Sequence, residues 1–179
     1  QRKLEEKPAE RLYQSILQAS RQPKLYTEFE VHDHLDSRFD MLCLHISLLM
    51  GRLRMLPEDV HKPLNQELFD RFFADMDFTL REMGVGDLGV GKRVRKMSEA
   101  FMGRLMAYTE SLERNDKMEL ALVLARNIRR SHDSNDADRR MADYVLQSRD
   151  RLSAVGDNEM QAGTVDLVAI LALHGGSHG

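Results

Sequence analysis

The chain of 179 residues has no tryptophan and only one cysteine, Cys43. A single cysteine cannot form a disulfide within the chain, which fits a reducing compartment. Cys43 lies inside the apolar stretch MLCLHISLL. We therefore predict a buried, unreactive thiol.

The chain also lacks a long apolar run and a strong excess of charge. Its longest uncharged apolar run, Leu167–Leu173, has seven residues, whereas a transmembrane helix needs about 20. The formal net charge of −3 argues against attraction of the whole chain to nucleic acid or anionic lipid, which would need a local basic patch. We predict no transmembrane segment and no DNA partner.

No long segment alternates polar and apolar residues as a strand would, and apolar residues recur every three or four positions. We predict an all-α fold, a single-domain bundle of roughly six to seven helices over residues 1–179, with flexible ends at 1–9 and 174–179. Residues 24–31 are ambiguous, and Pro57 and Pro63 bracket a predicted turn that includes a short helical piece as an alternative. The predicted helices are Glu10–Arg21, Ser37–Met55, Asn65–Met83, Val90–Arg114, Lys117–Arg130 and Ala137–Val155.

A glycine-rich turn separates the third and fourth of these helices. Gly84 is predicted to be the left-handed C-terminal cap of the third helix. The stretch GVGDLG matches GxGxxG, but a helix precedes it where a dinucleotide site needs a strand. The stretch GDLGVGK matches a P-loop, but Arg93 stands where a serine or threonine should bind magnesium. The glycines of the predicted structural turn are Gly84, Gly86, Gly89 and Gly91.

Four cations follow the turn, at Lys92, Arg93, Arg95 and Lys96. They fall in the first turns of the predicted helix, where positive charge opposes the helix dipole. Two interpretations stay open. Either the cations bind an acidic partner, or they are solvated charges whose pairing partners are Asp75, Asp87 or Glu99.

Two acidic residues, Asp75 and Asp77, invite a metal or acid–base interpretation. Their spacing of two positions turns them about 200° apart on a helix, so they cannot hold one ion together. Arg71 and Arg81 each lie four positions from one of them. We predict two surface ion pairs, Arg71–Asp75 and Asp77–Arg81.

The histidines give no complete site. His32 and His34 lack the further ligands of a metal centre, and His61, three positions after Glu58, lacks the second motif copy that a di-iron site needs. His45 lies in an apolar helix and is predicted to be a core histidine. We predict no catalytic residue, no metal and no cofactor.

Three segments resemble a known family: RFDMLCLHISLLMGRLR, LFDRFFADMDFTLREMGVGDLGVGKRVRKM and FMGRLMAYTESL, at residues 38–54, 68–97 and 101–112. They are similar to the ubiquinol–cytochrome c chaperone family, which comprises the Cbp3-type assembly factors of mitochondria and their bacterial relatives. The resemblance runs from about Leu12 to Ile128. Ser37 departs from it, because a glycine is expected there.

The resemblance implies a non-enzymatic assembly factor for the cytochrome bc1 complex (ubiquinol–cytochrome c reductase) of the respiratory chain. The implied client is cytochrome b or its nascent chain, and a small assembly protein and the ribosome are further implied partners. The chain is similar to a bacterial member, which implies the cytoplasm, with peripheral association at the inner membrane. A eukaryotic member would act at the mitochondrial inner membrane or in the matrix. The segment after Arg130 matches poorly, so its role is open.

Three hypotheses follow for how the chain acts. In the first, an apolar groove between helices holds a segment of cytochrome b, and the basic turn attracts acidic loops. In the alternative, the chain is an RNA or ribosome-surface adaptor that binds through the basic turn Lys92–Lys96, and Arg93, Arg95, Lys96 and Arg104 contact phosphates at its surface. A third hypothesis is an enzyme that uses the glycine turn on a phosphorylated ligand. The predicted partner-binding residues are Asp75, Asp77, Arg81, Glu82, Asp87, Lys92, Arg93, Arg95, Lys96 and Arg104.

Overall fold

The computed structural model describes residues 6–173, and within that range its regular structure is entirely helical. The all-α prediction is confirmed, and six of the helices have seven or more residues. The elements are α1 (Pro8–Ser20), α2 (Pro23–Glu28), α3 (Leu35–Leu53), α4 (Glu58–Glu82), α5 (Asp87–Glu113), α6 (Lys117–Leu124), a π-helical turn (Ala125–Arg129), α7 (Asp136–Ser153), α8 (Asp157–Ala162) and α9 (Leu167–Ile170).

Helix α3 runs through the centre of the bundle. All ten residues from Met41 to Met50 are buried, and α1, α4, α5 and α7 pack around this helix. The apolar face of α3 is wide, and a helix that is apolar on most sides is stable only when neighbours cover it. The hydrophobic core of the described residues therefore forms around α3.

His45 is fully buried on α3, which confirms the prediction of a core histidine. Its Nδ1 lies 2.7 Å from the Met41 carbonyl oxygen, and its Nε2 lies 2.8 Å from the Tyr144 hydroxyl. A carbonyl only accepts hydrogen bonds, so Nδ1 carries the proton, and the unprotonated Nε2 faces the Tyr144 hydroxyl, which also lies 3.1 Å from the Leu171 carbonyl oxygen. Burial lowers the pKa of His45 to about 4, and the side chain is neutral near pH 7.

Helix α4 begins at Glu58, earlier than the predicted start at Asn65. Two amides of its first turn donate to the Pro57 carbonyl at 2.9 Å. Pro63 lies inside the helix, where it removes one backbone hydrogen bond. The helix tolerates this local cost and continues to Leu68, which is fully buried. The helical piece considered between Pro57 and Pro63 is therefore the start of α4, and Pro63 does not end a turn.

Helix α5 also begins earlier than predicted, at Asp87 instead of Val90. A carboxylate at the first helical position interacts favourably with the helix dipole, which favours the earlier start. Gly89 and Gly91 therefore lie inside α5, and only Gly84 and Gly86 belong to the turn. The cations Lys92–Lys96 accordingly lie in the second and third turns, where the opposing effect of the dipole has faded.

The segment after Arg130 is part of the same core. Helix α7 packs against α6 and α3, and α9 packs against α1. Gly163 follows α8 with φ of 70°, and a Cβ at this position would lie 2.6 Å from the Pro8 carbonyl oxygen. This close approach requires glycine and joins the C-terminal segment to the start of α1.

Helix α1 reaches into the segment 1–9 that is predicted to be flexible, because it begins at Pro8. Pro8 lies against Gly163, and Arg11 Nε donates to the Ala162 carbonyl at 3.2 Å. The flexibility of the two ends stays a prediction. Residues 1–5 and 174–179 lie outside the described residues.

Candidate partner-binding groove

The turn between α4 and α5 is a glycine-capped helix end. Gly84 has φ of 86°, as predicted for a left-handed cap. The Gly84 amide donates to the Arg81 carbonyl at 3.0 Å, and the Val85 amide donates to the Leu80 carbonyl at 3.1 Å. These two bonds define a Schellman motif, which satisfies carbonyls that the helix end would leave free.

Arg81 ties the two sides of this turn together. Its guanidinium pairs with Asp77 on α4 at 2.7 Å and with Asp87 at the start of α5. The predicted Asp77–Arg81 pair is thus confirmed. Three of the predicted site residues form one bridge across the turn, while Glu82 beside them is exposed.

A groove of about 590 Å³ opens between α1, α3, α4 and α5, next to this turn. Its apolar lining comes from all four helices, so no single segment of the sequence contains it. The apolar lining residues are Leu17, Leu35, Phe39, Leu42, Met76, Leu80, Met97 and Ala100.

Charged side chains surround the apolar lining, with six cations and two carboxylates. This excess of positive charge contrasts with the net charge of −3 of the whole chain. The groove therefore favours an acidic or polar group beside an apolar one. The charged residues are Arg21, Arg38, Arg93, Lys96, Arg104, Arg130, Asp36 and Asp75.

Asp75 lines the groove and accepts a hydrogen bond there, and the predicted Arg71–Asp75 ion pair is wrong. The Tyr13 hydroxyl of α1 donates to Asp75 Oδ2. Arg71 instead binds Glu10 at 2.7 Å and covers the Tyr13 ring. Because α1 packs directly on α4, its side chains provide closer partners than the neighbouring turn of α4. Burial and the Asp75 carboxylate raise the pKa of Tyr13.

Arg104 lies deep in the groove and pairs with a buried carboxylate. Its Nη1 is 2.9 Å from Asp40 Oδ1, and Arg130 Nη2 is 3.4 Å from Asp40 Oδ2. The Arg104 side chain is 14% exposed and Asp40 is 1% exposed. Burial raises the pKa of Asp40. Arg104 is thus an internal cation, whereas the RNA hypothesis predicted a surface contact for it.

The remaining α5 cations divide between two faces of the helix. Arg93 and Lys96 line the groove, whereas Lys92 and Arg95 do not. All four are exposed, and none of them takes part in an ion pair within residues 6–173. The interpretation in which Asp75, Asp87 or Glu99 neutralises them therefore fails in the described part of the chain.

Sequence reasoning missed several groove residues, among them Arg38 and Arg130, and also the buried Asp40 that pairs with Arg130. They come from α3 and from the end of the π-helical turn, far in sequence from the glycine turn. One signal was available: Asp40 is a carboxylate inside the apolar run of α3, and a buried carboxylate needs a cationic partner. The sequence could indicate that need but could not name Arg104 as the partner.

The sulfur chemistry agrees with the sequence analysis. Cys43 is fully buried, and burial raises the pKa of its thiol to about 12. A thiol in this state is protonated near pH 7 and reacts slowly. Residues 6–173 contain no cluster of three or more histidine, cysteine or acidic side chains that could hold a metal ion.

Comparisons with known proteins find a matching family and a similar solved structure. A family profile described as Ubiquinol-cytochrome C chaperone matches residues 27–168. The chain is similar to the crystal structure of the Cbp3 homolog from Brucella abortus, with a TM-score of 0.81 and 37% sequence identity over 93% of this chain and 92% of that one. A search of curated proteins finds no match.

The fold and the site together describe a helical bundle with an apolar, cation-lined groove. The chain belongs to the ubiquinol–cytochrome c chaperone family, as the sequence resemblance implied. None of the helices within residues 6–173 has the length and apolar character to cross a membrane.

Proposed function

We propose that this chain is a non-enzymatic assembly factor for the cytochrome bc1 complex, and that it binds an apolar segment of cytochrome b in the groove. The family supports the chaperone role. The observation that carries the client proposal is the groove itself, because its apolar lining and cationic border complement an apolar segment that ends in acidic residues.

The size of the groove suits part of a helix or an extended segment. Its volume of about 590 Å³ lies within the range of roughly 300–1,000 Å³ for binding pockets. Grooves between helices bind amphipathic segments through a few apolar anchors spaced along one face. We expect two or three client side chains to reach Leu42, Met76 and Met97.

The cations of the groove have two different roles in this proposal. Arg93 and Lys96 are exposed and have no carboxylate partner in the described chain, so they are available to acidic client residues. Arg104 and Arg130 pair with Asp40, so these ion pairs limit their availability to a client. The accessible cations should increase the association rate more than they increase the lifetime of the complex.

A groove-filling variant tests the proposal. Ala100→Tyr places a large ring on the groove side of α5 and should reduce capture of detergent-solubilised cytochrome b, made in a cell-free system, by about tenfold or more. Ala74→Tyr adds the same ring at an exposed position of α4 outside the groove and should not change capture. Circular dichroism checks that both variants keep their helices. Equal capture by the two variants would contradict groove binding.

A charge variant tests the contribution of the accessible cations. Arg93→Glu/Lys96→Glu reverses two groove charges and should weaken capture of cytochrome b, with a larger effect at low salt. The control Lys62→Glu/Arg114→Glu makes the same charge change near the start of α4 and the end of α5, far from the glycine turn. Both residues are in exposed ion pairs. Capture that both double variants reduce equally would indicate a nonspecific charge effect.

The RNA or ribosome-surface adaptor is the competing function, and the unpaired cations of α5 in the described chain are the observation that favours it. Binding to phosphates falls steeply with salt because it releases counterions. Ribosome or RNA binding that is lost at moderate salt, and that Ala100→Tyr leaves intact, would favour the adaptor. Client capture that survives the same salt and is lost in Ala100→Tyr would favour the chaperone groove.

A further inference from the structure

The end of the α4–α5 hairpin carries a second apolar surface, separate from the groove lining. We call residues 78–88 the hairpin tip. Three large apolar side chains are exposed there, Phe78 at 62%, Met83 at 56% and Leu88 at 93%. They are three of the eight exposed large apolar side chains in the described chain. None of the three lines the groove, so the proposed client site does not explain them.

The tip has the shape of a protrusion. Within residues 81–88 every residue except Val85 is exposed, because this segment consists of two helix ends and the short turn that joins them. Partner helices and peptides are usually held in concave grooves lined by several elements. A protruding set of apolar side chains is better suited to enter a soft phase, such as the boundary between lipid headgroups and acyl chains.

Two cations lie at a suitable distance behind the apolar tip. Lys92 and Arg95 follow Leu88 by four and seven positions, and this spacing places them on the same face of α5. With the rise of an α-helix, they lie about 6 Å and 10 Å behind Leu88 along the axis. Apolar faces of interfacial helices are buried about 5–10 Å below the headgroup boundary. When Leu88 reaches the acyl chains, both cations are therefore near the lipid phosphates.

The charge of this region is opposite to that of the whole molecule. Residues 78–96 contain five cations and two carboxylates, a net charge of +3, whereas the chain carries −3. One of the two carboxylates, Asp87, is already bound to Arg81. Lys92 and Arg95 have no ion-pair partner within residues 6–173, so their charge is available to an anionic surface.

We propose that the hairpin tip docks on an anionic lipid bilayer. Phe78, Met83 and Leu88 enter the headgroup region, and Lys92 and Arg95 contact the lipid phosphates. The inference rests on the tip itself, and it also extends the proposed function. Thr79 and Leu80 belong to the tip and line the groove, so a docked tip would hold the groove beside the bilayer that contains the proposed client.

A fluorescence experiment tests insertion directly. The chain has no tryptophan, so Leu88→Trp creates a single reporter at the most exposed apolar position of the tip. With vesicles of phosphatidylcholine and phosphatidylglycerol in a two-to-one ratio, its emission should shift to shorter wavelength, and bromine-labelled acyl chains should quench it. Vesicles of phosphatidylcholine alone should produce a smaller shift. An emission that the anionic vesicles leave unchanged would overturn the proposal.

A second reporter gives the matched control. Met118 is 80% exposed at the start of α6, next to the opposite end of the hairpin. Met118→Trp should keep its water-exposed emission with the same vesicles and resist quenching by the brominated chains. Equal shifts for the two reporters would mean that the protein adsorbs without orientation, and this would also overturn docking through the tip.

Charge reversal tests the contribution of the cations. In a vesicle sedimentation assay, Lys92→Glu/Arg95→Glu should weaken binding to the anionic vesicles by at least about tenfold, because each basic residue near such a surface contributes on the order of 1 kcal/mol. The variant Lys62→Glu/Arg114→Glu changes the net charge equally at the other end of the hairpin and should retain most of the binding. Equal loss in both variants would argue against a local contact.

The groove variant separates this proposal from the client proposal. Ala100→Tyr should lose cytochrome b capture and keep the vesicle-induced emission shift when it is combined with Leu88→Trp. If Ala100→Tyr keeps client capture and the Leu88→Trp reporter still shifts, the groove hypothesis fails and the tip proposal stands. If the reporter fails to shift and the groove variant still loses capture, the tip proposal fails and the groove hypothesis stands.

Discussion

The two ends of the α4–α5 hairpin show how the same pair of helices behaves inside and outside the bundle. At the end that packs inside the bundle, which we call the body, Phe69, Phe72 and Phe73 of α4 have ring centroids 5.4–5.9 Å from that of Phe101 of α5. At the tip, Phe78 and Met83 of the α4 end and Leu88 of α5 face solvent. The difference comes from the neighbours, because α3 covers the hairpin near the body. Apolar residues at the tip therefore call for an explanation other than core packing.

The charged groups of the two ends differ in the same way. Near the body, Asp40 is buried between Arg104 and Arg130. A buried carboxylate requires such partners, since an unpaired buried charge is strongly destabilising. On the outer face near the tip, Lys92 and Arg95 are exposed and lack an ion-pair partner in the described chain. Charges near the body maintain the fold, and those near the tip are available for binding.

The largest expected effect is at the body end. Phe72→Ala removes a fully buried ring from the aromatic cluster and should lower the free energy of unfolding by about 3–5 kcal/mol. Phe78→Ala removes the same ring from an exposed position and should change it by less than about 0.5 kcal/mol. Urea unfolding followed by circular dichroism measures both. Similar losses for the two variants would mean that the tip packs against something within the chain.

A second prediction concerns pH and the buried histidine of the body. The pKa of His45 is lowered to about 4 in the fold, compared with about 6.5 in an unfolded chain. Between these values the unfolded chain binds more protons, so stability falls as pH decreases from about 6.5 towards 4. Because a shift of one unit corresponds to about 1.4 kcal/mol, His45 should account for about 2–3 kcal/mol of the loss between pH 7 and pH 4.5.

The variant His45→Gln isolates this contribution. Its total stability is expected to be lower at pH 7, because the hydrogen bond to Tyr144 changes. Its loss between pH 7 and pH 4.5 should nevertheless be smaller than that of the unchanged chain by about 2–3 kcal/mol. Urea unfolding at several pH values provides the slopes. Parallel stability–pH curves for both proteins would show that His45 does not titrate as inferred.

The sequence predicted more of the fold than of the candidate site. The recurrence of apolar residues every three or four positions indicated the helices, and Gly84 indicated a left-handed cap, because both depend on residues close in sequence. The starts of α4 and α5 could not be placed, since Pro63 and Gly89 normally disfavour helix. Packing of Leu68 and the carboxylate at Asp87 favour helix there, and these effects depend on the folded structure.

The groove could be predicted only in part. Its α4 and α5 residues lie in the distinctive block around the glycine turn, so Asp75, Arg93, Lys96 and Arg104 were predicted as partner-binding residues, a role that stays a prediction. The contribution of α1 was not visible, because the contact of Tyr13 with Asp75 joins positions 62 residues apart. Long-range contacts of this kind decide which charges remain free, and helical spacing alone cannot reveal them.

A third prediction tests the cap at the tip. Gly84 has φ of 86°, and the space that a Cβ would occupy there is open, with no other atom within 4 Å. Backbone conformation alone should therefore determine the cost of a substitution. Gly84→Ala should lower the free energy of unfolding by about 1–2 kcal/mol, the cost of a left-handed conformation for an L-residue. Gly84→Asn should cost less, because asparagine tolerates this conformation. Equal losses for the two substitutions would contradict a left-handed cap.

The smallest expected effect has the opposite sign and tests where the tip ends. Gly91 lies inside α5 with open space around its Cα. Alanine is favoured over glycine in a helix by about 0.8–1.0 kcal/mol, so Gly91→Ala should raise the free energy of unfolding by up to about 1 kcal/mol. Gly103→Ala, at an open position in the middle of the same helix, is the reference. If Gly91→Ala destabilises the protein while Gly103→Ala stabilises it, the turn extends to Gly91, and the depth assigned to Lys92 behind Leu88 is wrong.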